Sequence, residues 1–391
     1  MRLRDEKKKD ILNKGKILHI ATDEKWVSKA YSIFELAFKE WNEVIILSEN
    51  DTLKYVGEIP NTILKQSEIN ASKLNEIFHD VQVVVLHSID IAFYKIKFPN
   101  HVKVIWVGFG FDYYDFIYKN DDELLLPITK TLRYKTSKKN TFNEITKSIR
   151  NGRLNSKLKG RLTKKEYIKT IDYFVPVLSS EYEILKKNYD GKLPQLEDWN
   201  YGTLEDDYTI EAVNNERNNI LLGNSATYTN NHMEILDIIK DVNIAEHSKI
   251  ICPLSYGDIE YAQYIKKHGC DLFGNKFEPL MDFLTKVHYI NVLSSCTVAI
   301  FNHIRQQAMG NIIIMLYLGA KVYVRRENPA YTFFIKKGIK VFLVEDITNE
   351  KIIINDLSAL DIDNNKMLLE SMYSQNVMLE KTKSMISNVL S

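Results

Sequence analysis

The chain has 391 residues, 45% hydrophobic and 26% charged, with a formal net charge of +1. That length exceeds one ordinary core and predicts two domains. The composition is ordinary for a globular protein, and the near-neutral total names no partner.

Short apolar runs punctuate the first half at 16–21 (KILHIA), 43–48, 81–88, 103–110 and 173–180. Most are continuous, not alternating, which is the pattern of parallel strands covered on both faces. Residues 29–41 between the first two carry apolar side chains at three- and four-residue spacing, the pattern of an amphipathic helix. Residues 130–170 hold 14 Lys/Arg against only Glu144 and Glu166, a local net of +12. The polar, acidic, aperiodic stretch 190–218 predicts a linker. A second strand–helix series follows, with strands at 218–224, 248–255, 270–274, 297–302, 321–326 and 340–346, and helices at 231–242 and 260–269. Residues 364–390 read as a long helix or helix pair. The alternation predicts an α/β fold with two parallel sheets.

The three cysteines, Cys252, Cys270 and Cys296, form no short metal-type pair, and their odd number argues against a disulfide scaffold. Cys252 and Cys296 lie in or beside apolar runs and read as core residues. The basic N-terminus lacks the apolar stretch of a signal peptide. No run approaches the ~20 apolar residues a spanning helix needs. The expectation is a cytoplasmic protein.

Two strand–helix junctions in the second half carry chemistry. In ILLGNSATYTNNH (220–232), a strand ends in Gly223, Asn224 and Ser225, and a helix opens near Thr229. Gly permits close backbone approach, and a helix start offers free N–H groups and partial positive charge. An ordinary capped loop accounts for the same residues. In FNHIRQQAMGN (301–311), Arg305 brings a planar donor fork suited to phosphate, Gln306 and Gln307 add amides, and Gly310 opens the next helix. Two such junctions in one domain suit a diphosphate. Glu327 ends the next strand, where a carboxylate can grip a sugar hydroxyl. Asn328 and Pro329 equally suit a helix cap. In the first half, IWVGFGFDYY (105–114) places Asp112 beside glycines and aromatics at a strand end, as a candidate base or as a turn residue. No HExxH, Cys-x-x-Cys or Gly-x-Ser-x-Gly pattern is present. LEDDY (204–208) is only a weak match to an Asp-x-Asp metal site.

LLGNSATYTNNH, ICPLSY, IRQQAMGN, GAKVYVRRENPAY and IWVGFGFDYY together resemble glycosyltransferase family 56, in the family's order over roughly residues 100–335. The resemblance implies a GT-B fold, two Rossmann-like domains facing across a cleft. It puts the acceptor on the N-terminal domain and the nucleotide sugar on the C-terminal one; with the predicted linker at 196–217, these are residues 1–195 and 218–391. It implies a glycosyltransferase that moves a 4-acetamido-4,6-dideoxygalactose-like sugar from a dTDP-sugar to an undecaprenyl-diphosphate-linked glycan. No cofactor or metal is expected. Gly223, Asn224, Ser225, Thr229, Tyr256, Arg305, Gln306, Gln307, Gly310, Asn311, Glu327 and Asn328 become donor-site candidates. Asp112 is the leading catalytic candidate, with His303 next. Ala308 stands where the family has Gly, Phe109 and Phe111 replace a Trp and a small residue, and Val107 replaces a His.

Leu154, Leu158 and Leu162 lie four apart among Lys157, Lys159, Arg161, Lys164 and Lys165. That spacing predicts an amphipathic helix with a cationic rim, peripherally bound to the anionic inner membrane surface. Rival readings are a GT-B-type nucleotide-sugar epimerase and a nucleic-acid-binding protein using the basic stretch. The latter has few aromatics for stacking and no known module, so no nucleic-acid partner is expected.

Overall fold

The computed structural model describes residues 15–136, 163–208, 217–242, 244–349 and 357–391. The chain divides into two compact units. Unit 1 comprises Met1–Ile117, Gly152–Thr203 and Tyr373–Ser391, and unit 2 comprises Tyr118–Asn151 and Leu204–Met372.

Unit 1 holds a seven-stranded sheet, ordered β3-β2-β1-β4-β5-β6-β7. Its strands are β1 (Lys16–Ala21), β2 (Asn42–Leu47), β3 (Thr62–Leu64), β4 (Val81–His87), β5 (Lys103–Val107), β6 (Tyr173–Val175) and β7 (Gln195–Leu196). All pairings are parallel. The central strands are buried almost throughout, as continuous apolar runs require. β3 and β7 are too short to leave a periodic signal in the sequence.

Unit 2 repeats the topology in six strands, ordered β10-β9-β8-β11-β12-β13. These are β8 (Asn219–Leu222), β9 (Ile250–Pro253), β10 (Phe277–Leu280), β11 (Cys296–Phe301), β12 (Lys321–Val324) and β13 (Phe342–Leu343). In both sheets the strand order reverses at one place, between β1 and β4 and between β8 and β11. Such switch points open a crevice at the carboxyl ends of the strands. Cys252 and Cys296 are fully buried core residues.

The structure departs from the sequence reading at three places. Residues 270–274 are not a strand, because the helix Ile259–Phe273 runs through them and ends at Gly274, whose φ is +58°. Gly269, where the sequence reading ended the helix, lies inside it. It lies beneath the Phe277 ring, where a Cβ would come within 2.5 Å of Cε1. The strand follows at β10.

The second departure concerns the C-terminal helices. Helix Gln375–Leu390 belongs to unit 1, not to the second domain. Its Met378, Met385, Ile386 and Val389 pack with Ala30, Ile33 and Phe34 of helix Val27–Ala37 and with Trp199. The Trp199 indole donates to Thr382 Oγ1 at 2.8 Å. Third, the stretch beginning at Tyr118 belongs to unit 2. There Leu126 N donates to Asn231 Oδ1 at 2.8 Å, and Thr129 N to Glu234 Oε1 at 2.8 Å.

Candidate functional site in the unit 2 crevice

The loops after β8 and β11 flank the switch point of unit 2. Gly223 adopts φ +68°, and a Cβ there would lie 2.6 Å from Asn230 Oδ1 and 2.7 Å from His232 Nε2. Only glycine fits so tight a turn.

Asn230 organises the first loop. Its Oδ1 accepts from Asn224 N at 3.0 Å and from His303 Nε2 at 2.9 Å. Its Nδ2 donates to Ser225 Oγ at 3.1 Å and Thr227 Oγ1 at 2.8 Å. The next residue, Asn231, stands at φ +50° and bolts the two loops together. Its Nδ2 donates to Asn302 O at 3.2 Å, and Asn302 Nδ2 donates back to Asn231 O at 2.9 Å.

Gln307 closes the lattice. Its Nε2 donates to Asn224 Oδ1 and to Thr227 Oγ1, both at 3.2 Å, and its Oε1 accepts from Thr229 Oγ1 at 2.8 Å. Asn224 Nδ2 donates to the hydroxyl of Tyr256, whose ring is exposed, at 2.9 Å. The structure thus brings Gly223, Asn224, Ser225, Thr229, Tyr256 and Gln307 together, but chiefly as partners of one another. A network with its members satisfied is rigid.

Helix Met309–Tyr317 starts beside this lattice. Ala308 is its N-cap, at φ +61° with no side-chain cap, and Ile312 N takes the Ala308 carbonyl at 2.9 Å. The left-handed conformation explains a family Gly at this position. Helix burial from Ile312 to Leu316 fixes the axis. A Cβ at Gly310 would meet only Tyr208 Cε1, at 3.7 Å, so this side of the first turn has room. Arg305 is half-buried and donates through Nη1 to the Gln306 carbonyl at 3.0 Å. Gln306 itself is buried. Asn311 donates to the Tyr289 hydroxyl at 2.7 Å. A fixed cation beside a helix N-terminus is a site suited to an anion.

Other candidates take different roles. His303 is fully buried. Asn230 Oδ1 can only accept, so His303 carries its proton on Nε2. Burial first, then the Arg305 and His232 charges, hold its pKa well below the usual histidine value. It is a neutral support for Asn230, not a group that reaches substrate.

Asn328 is fully buried and caps helix Pro329–Lys336 by accepting from Ala330 N at 2.9 Å. Its Nδ2 donates to the carbonyls of His303 (3.1 Å) and Arg305 (2.9 Å). It therefore shapes the Arg305 loop without facing a ligand. Glu327 is half-exposed and accepts from Arg325 Nη2 at 2.9 Å. Burial raises its carboxyl, but the Arg325 hydrogen bond and charge and a backbone N–H outweigh burial and set it below the ordinary value. LEDDY is a helical turn, Leu204–Tyr208, under the Met309–Tyr317 helix, with Asp207 buried. Among the described residues no group of three or more His, Cys, Asp or Glu can hold a metal ion.

In unit 1, Asp112 is buried. Its Oδ2 accepts from Trp106 Nε1 at 2.7 Å and Ile89 N at 3.0 Å, and its Oδ1 from Phe109 N at 2.8 Å. It ties the ends of β4 and β5 together. Both oxygens are committed, so neither the catalytic base nor the solvated turn residue is what forms here. Lys157, Lys159 and Arg161 lie outside the described residues. Lys164 is buried, pairs with Asp115 at 2.8 Å and lies over the Phe116 ring. Lys165 pairs with Asp190. These two charges are spent within unit 1 and are not a membrane-facing rim. No helix among the described residues is long and apolar enough to cross a membrane.

Sequence reasoning missed Thr227, Asn230, Asn231, Asn302, Tyr289 and Arg325. Arg325 bridges Asn302 Oδ1 (3.2 Å), Glu327 and Glu345 (3.2 Å). The double Asn before a helix was the available signal, since Asn tolerates the left-handed region and bonds locally.

The family model described as 4-alpha-L-fucosyltransferase glycosyl transferase group 56 matches residues 202–382, which bears out the family resemblance. Solved structures share the fold across nearly the whole chain. A glycosyltransferase from Rickettsia africae ESF-5 aligns at TM-score 0.63 and 16% identity, covering 97% of this chain and 99% of that one. Anabaena HepE, solved with UDP, aligns at TM-score 0.65 and 9% identity, covering 95% and 100%. Sucrose-phosphate synthase from Thermosynechococcus elongatus aligns at TM-score 0.63 and 9% identity, covering 96% and 99%. Residues 202–382 thus match glycosyltransferase group 56, the whole chain has the GT-B fold, and the match and the fold together support a transferase enzyme.

Proposed function

We propose that the enzyme transfers a deoxyamino-sugar, of the 4-acetamido-4,6-dideoxygalactose type, from a dTDP-sugar to an undecaprenyl-diphosphate-linked glycan. Unit 2 binds the donor and unit 1 presents the acceptor. The observation that carries this reading is the crevice between β8 and β11. There a lattice of Asn224, Thr227, Thr229 and Gln307 fixes the loops around Arg305 and the open first turn at Gly310. HepE, which shares the fold, is a protein solved with UDP and with UDP-glucose.

In transfer, the acceptor oxygen bonds to the anomeric carbon and the sugar–phosphate bond breaks. The nucleoside diphosphate departs with the electron pair, and negative charge grows on the leaving oxygen. In this reading Arg305 and the amides of the first turn of Met309–Tyr317 stabilise that charge. Such preorganised electrostatics is usually the largest catalytic contribution. The rigid lattice means that little reorganisation is needed when the charge develops. The enzyme works on the inner membrane surface, where its lipid-linked acceptor resides, and needs no metal.

The test is a thermal-shift screen of dTDP, UDP, GDP and ADP against the full chain. A nucleotide at 100 times its Kd should stabilise the fold by about 2.7 kcal/mol. Stabilisation by dTDP, followed by sugar transfer to a lipid-linked disaccharide, is the expected result. No response to any nucleoside diphosphate refutes the donor site. Isomerisation of the bound nucleotide sugar without transfer refutes the acceptor assignment.

A further inference from the structure

Unit 1 has its own crevice, at the carboxyl ends of β1, β4 and β5. Four carboxylates follow these strands: Asp23 and Glu24 after β1, Asp90 after β4 and Asp112 after β5. Three are committed to backbone or indole N–H groups. Asp23 accepts from the amides of Lys54, Tyr55 and Val56. Asp90 caps the turn Ile91–Lys95 through Ala92 N at 2.8 Å. Asp112 holds its three donors as described above. The Glu24 carboxylate alone of the four accepts no hydrogen bond and makes no ion pair among the described residues, and the residue is half-buried.

Its surroundings suit a sugar. Tyr201 lies 5.0 Å from Phe109 and 6.2 Å from Trp26, ring to ring, and Phe109 lies 6.0 Å from the exposed Phe111. Tyr201 is fixed from behind, since its hydroxyl meets His87 Nδ1 at 2.7 Å, and His87 Nε2 meets His19 Nδ1 at 2.9 Å. At the end of β4, Ser88 is buried at φ +67° with its hydroxyl unpartnered, an unused polar group at the same rim. Aromatic faces with a few polar groups make a carbohydrate subsite.

We propose that Glu24 is the general base of the transfer and takes the proton from the attacking acceptor hydroxyl. This rests on reading unit 1 as the acceptor unit. The acceptor O–H bond breaks toward the Glu24 carboxylate as that oxygen bonds to the anomeric carbon, and the phosphate oxygen leaves with the electron pair of the bond it loses. The charged groups facing Glu24 are Asp23, Asp90 and Asp112, against Lys25. Burial first, then the Asp23 charge, raise its carboxyl above the ordinary glutamate value, which brings a carboxylate toward the range useful for a base.

Two measurements on the full chain test this. In the first, 13Cδ-glutamate signals are titrated by NMR, with the Glu24 signal assigned from the Glu24→Gln spectrum. It should titrate above the exposed glutamates; titration with them overturns the proposal. The second compares turnover of dTDP-4-acetamido-4,6-dideoxygalactose, with the lipid-linked disaccharide and with water alone as acceptor. Glu24→Gln should lower kcat by about 100-fold or more and remove the acid limb of the pH–rate profile. Glu24→Asp should recover part of the rate, and dTDP affinity and Tm should stay at wild-type values. A Glu24→Gln variant within threefold of wild-type turnover overturns the assignment. A wild-type chain that binds no dTDP while Glu24 titrates high sinks the donor reading and leaves this one standing.

Discussion

Replacing Gly310 by Ala should move stability and binding in opposite directions. The added methyl meets only Tyr208 Cε1, at ordinary contact distance, so nothing in unit 2 resists it. Ala exceeds Gly in helix propensity by up to ~1 kcal/mol in a helix interior. At the second helical position about half of that is expected, which raises Tm by roughly 1–2 °C for a unit of this size. The same methyl occupies the open side of the first turn, where the proposed function puts the donor diphosphate. Losing one charge-assisted hydrogen bond costs about 1.5–3 kcal/mol. At 1.4 kcal/mol per factor of ten, dTDP affinity should fall by roughly 10- to 100-fold. Urea unfolding and isothermal titration calorimetry measure the two effects on one preparation. General damage would lower both. Unchanged dTDP affinity in a stabler protein would refute the assignment of the phosphate to this helix start.

Arg305→Ala should weaken dTDP binding by the same ~1.5–3 kcal/mol with Tm near wild type, and calorimetry showing unchanged affinity would make Arg305 a loop residue only. Ala308→Gly relieves a left-handed conformation that costs ~1–2 kcal/mol, against ~0.5–1 kcal/mol of extra chain entropy, so the urea midpoint should rise. A lower midpoint would count against that backbone conformation. Acid should destabilise both units. Burial lowers His19 to about 4 and His232 to about 3, and also lowers His87 and His303. The unfolded chain then binds more protons than the native one below the ordinary histidine pKa of 6.5, so the stability present above 6.5 is lost as pH falls toward 4. At 1.36 kcal/mol per unit, His19 alone accounts for about 3 kcal/mol across that window. Equal urea midpoints at pH 7.5 and pH 5 would contradict this.

The parallel sheets were legible because strands buried on both faces must be apolar throughout, and the runs at 16–21, 81–88 and 297–302 are. The crevice loops were legible through Gly223, whose backbone is left-handed, and through Gly310, whose missing side chain leaves room at the helix start. The roles of polar residues were not. Asp112, His303 and Asn328 are residue types that catalyse or bind when exposed, and here each is buried with its hydrogen bonds directed into the fold. Composition around them does not distinguish the two fates, since their partners are mostly backbone groups, together with the Trp106 indole for Asp112 and a side chain 73 residues away for His303. Glu24 was overlooked for the converse reason. It follows β1 in a stretch without Gly, and its distinction is a carboxylate with no partner among the described residues, which only the folded structure displays. Helix Gln375–Leu390 follows the second strand–helix series along the chain, so sequence order assigned it there, whereas its apolar side chains pack in unit 1.

That helix has a consequence in time. Domains usually fold in the order of synthesis, N-terminal first, at about 5–20 residues per second. Unit 2 has its last residue at Met372, whereas unit 1 still lacks the side chains that cover Ile33, Phe34 and Trp199. Between translation of β7 and of the covering helix, the ribosome works for roughly 10–40 s. Through that interval the apolar flank of helix Val27–Ala37 waits in water. The first unit to be made is the last to be finished, and a nascent chain stalled short of residue 378 is a natural client for a chaperone.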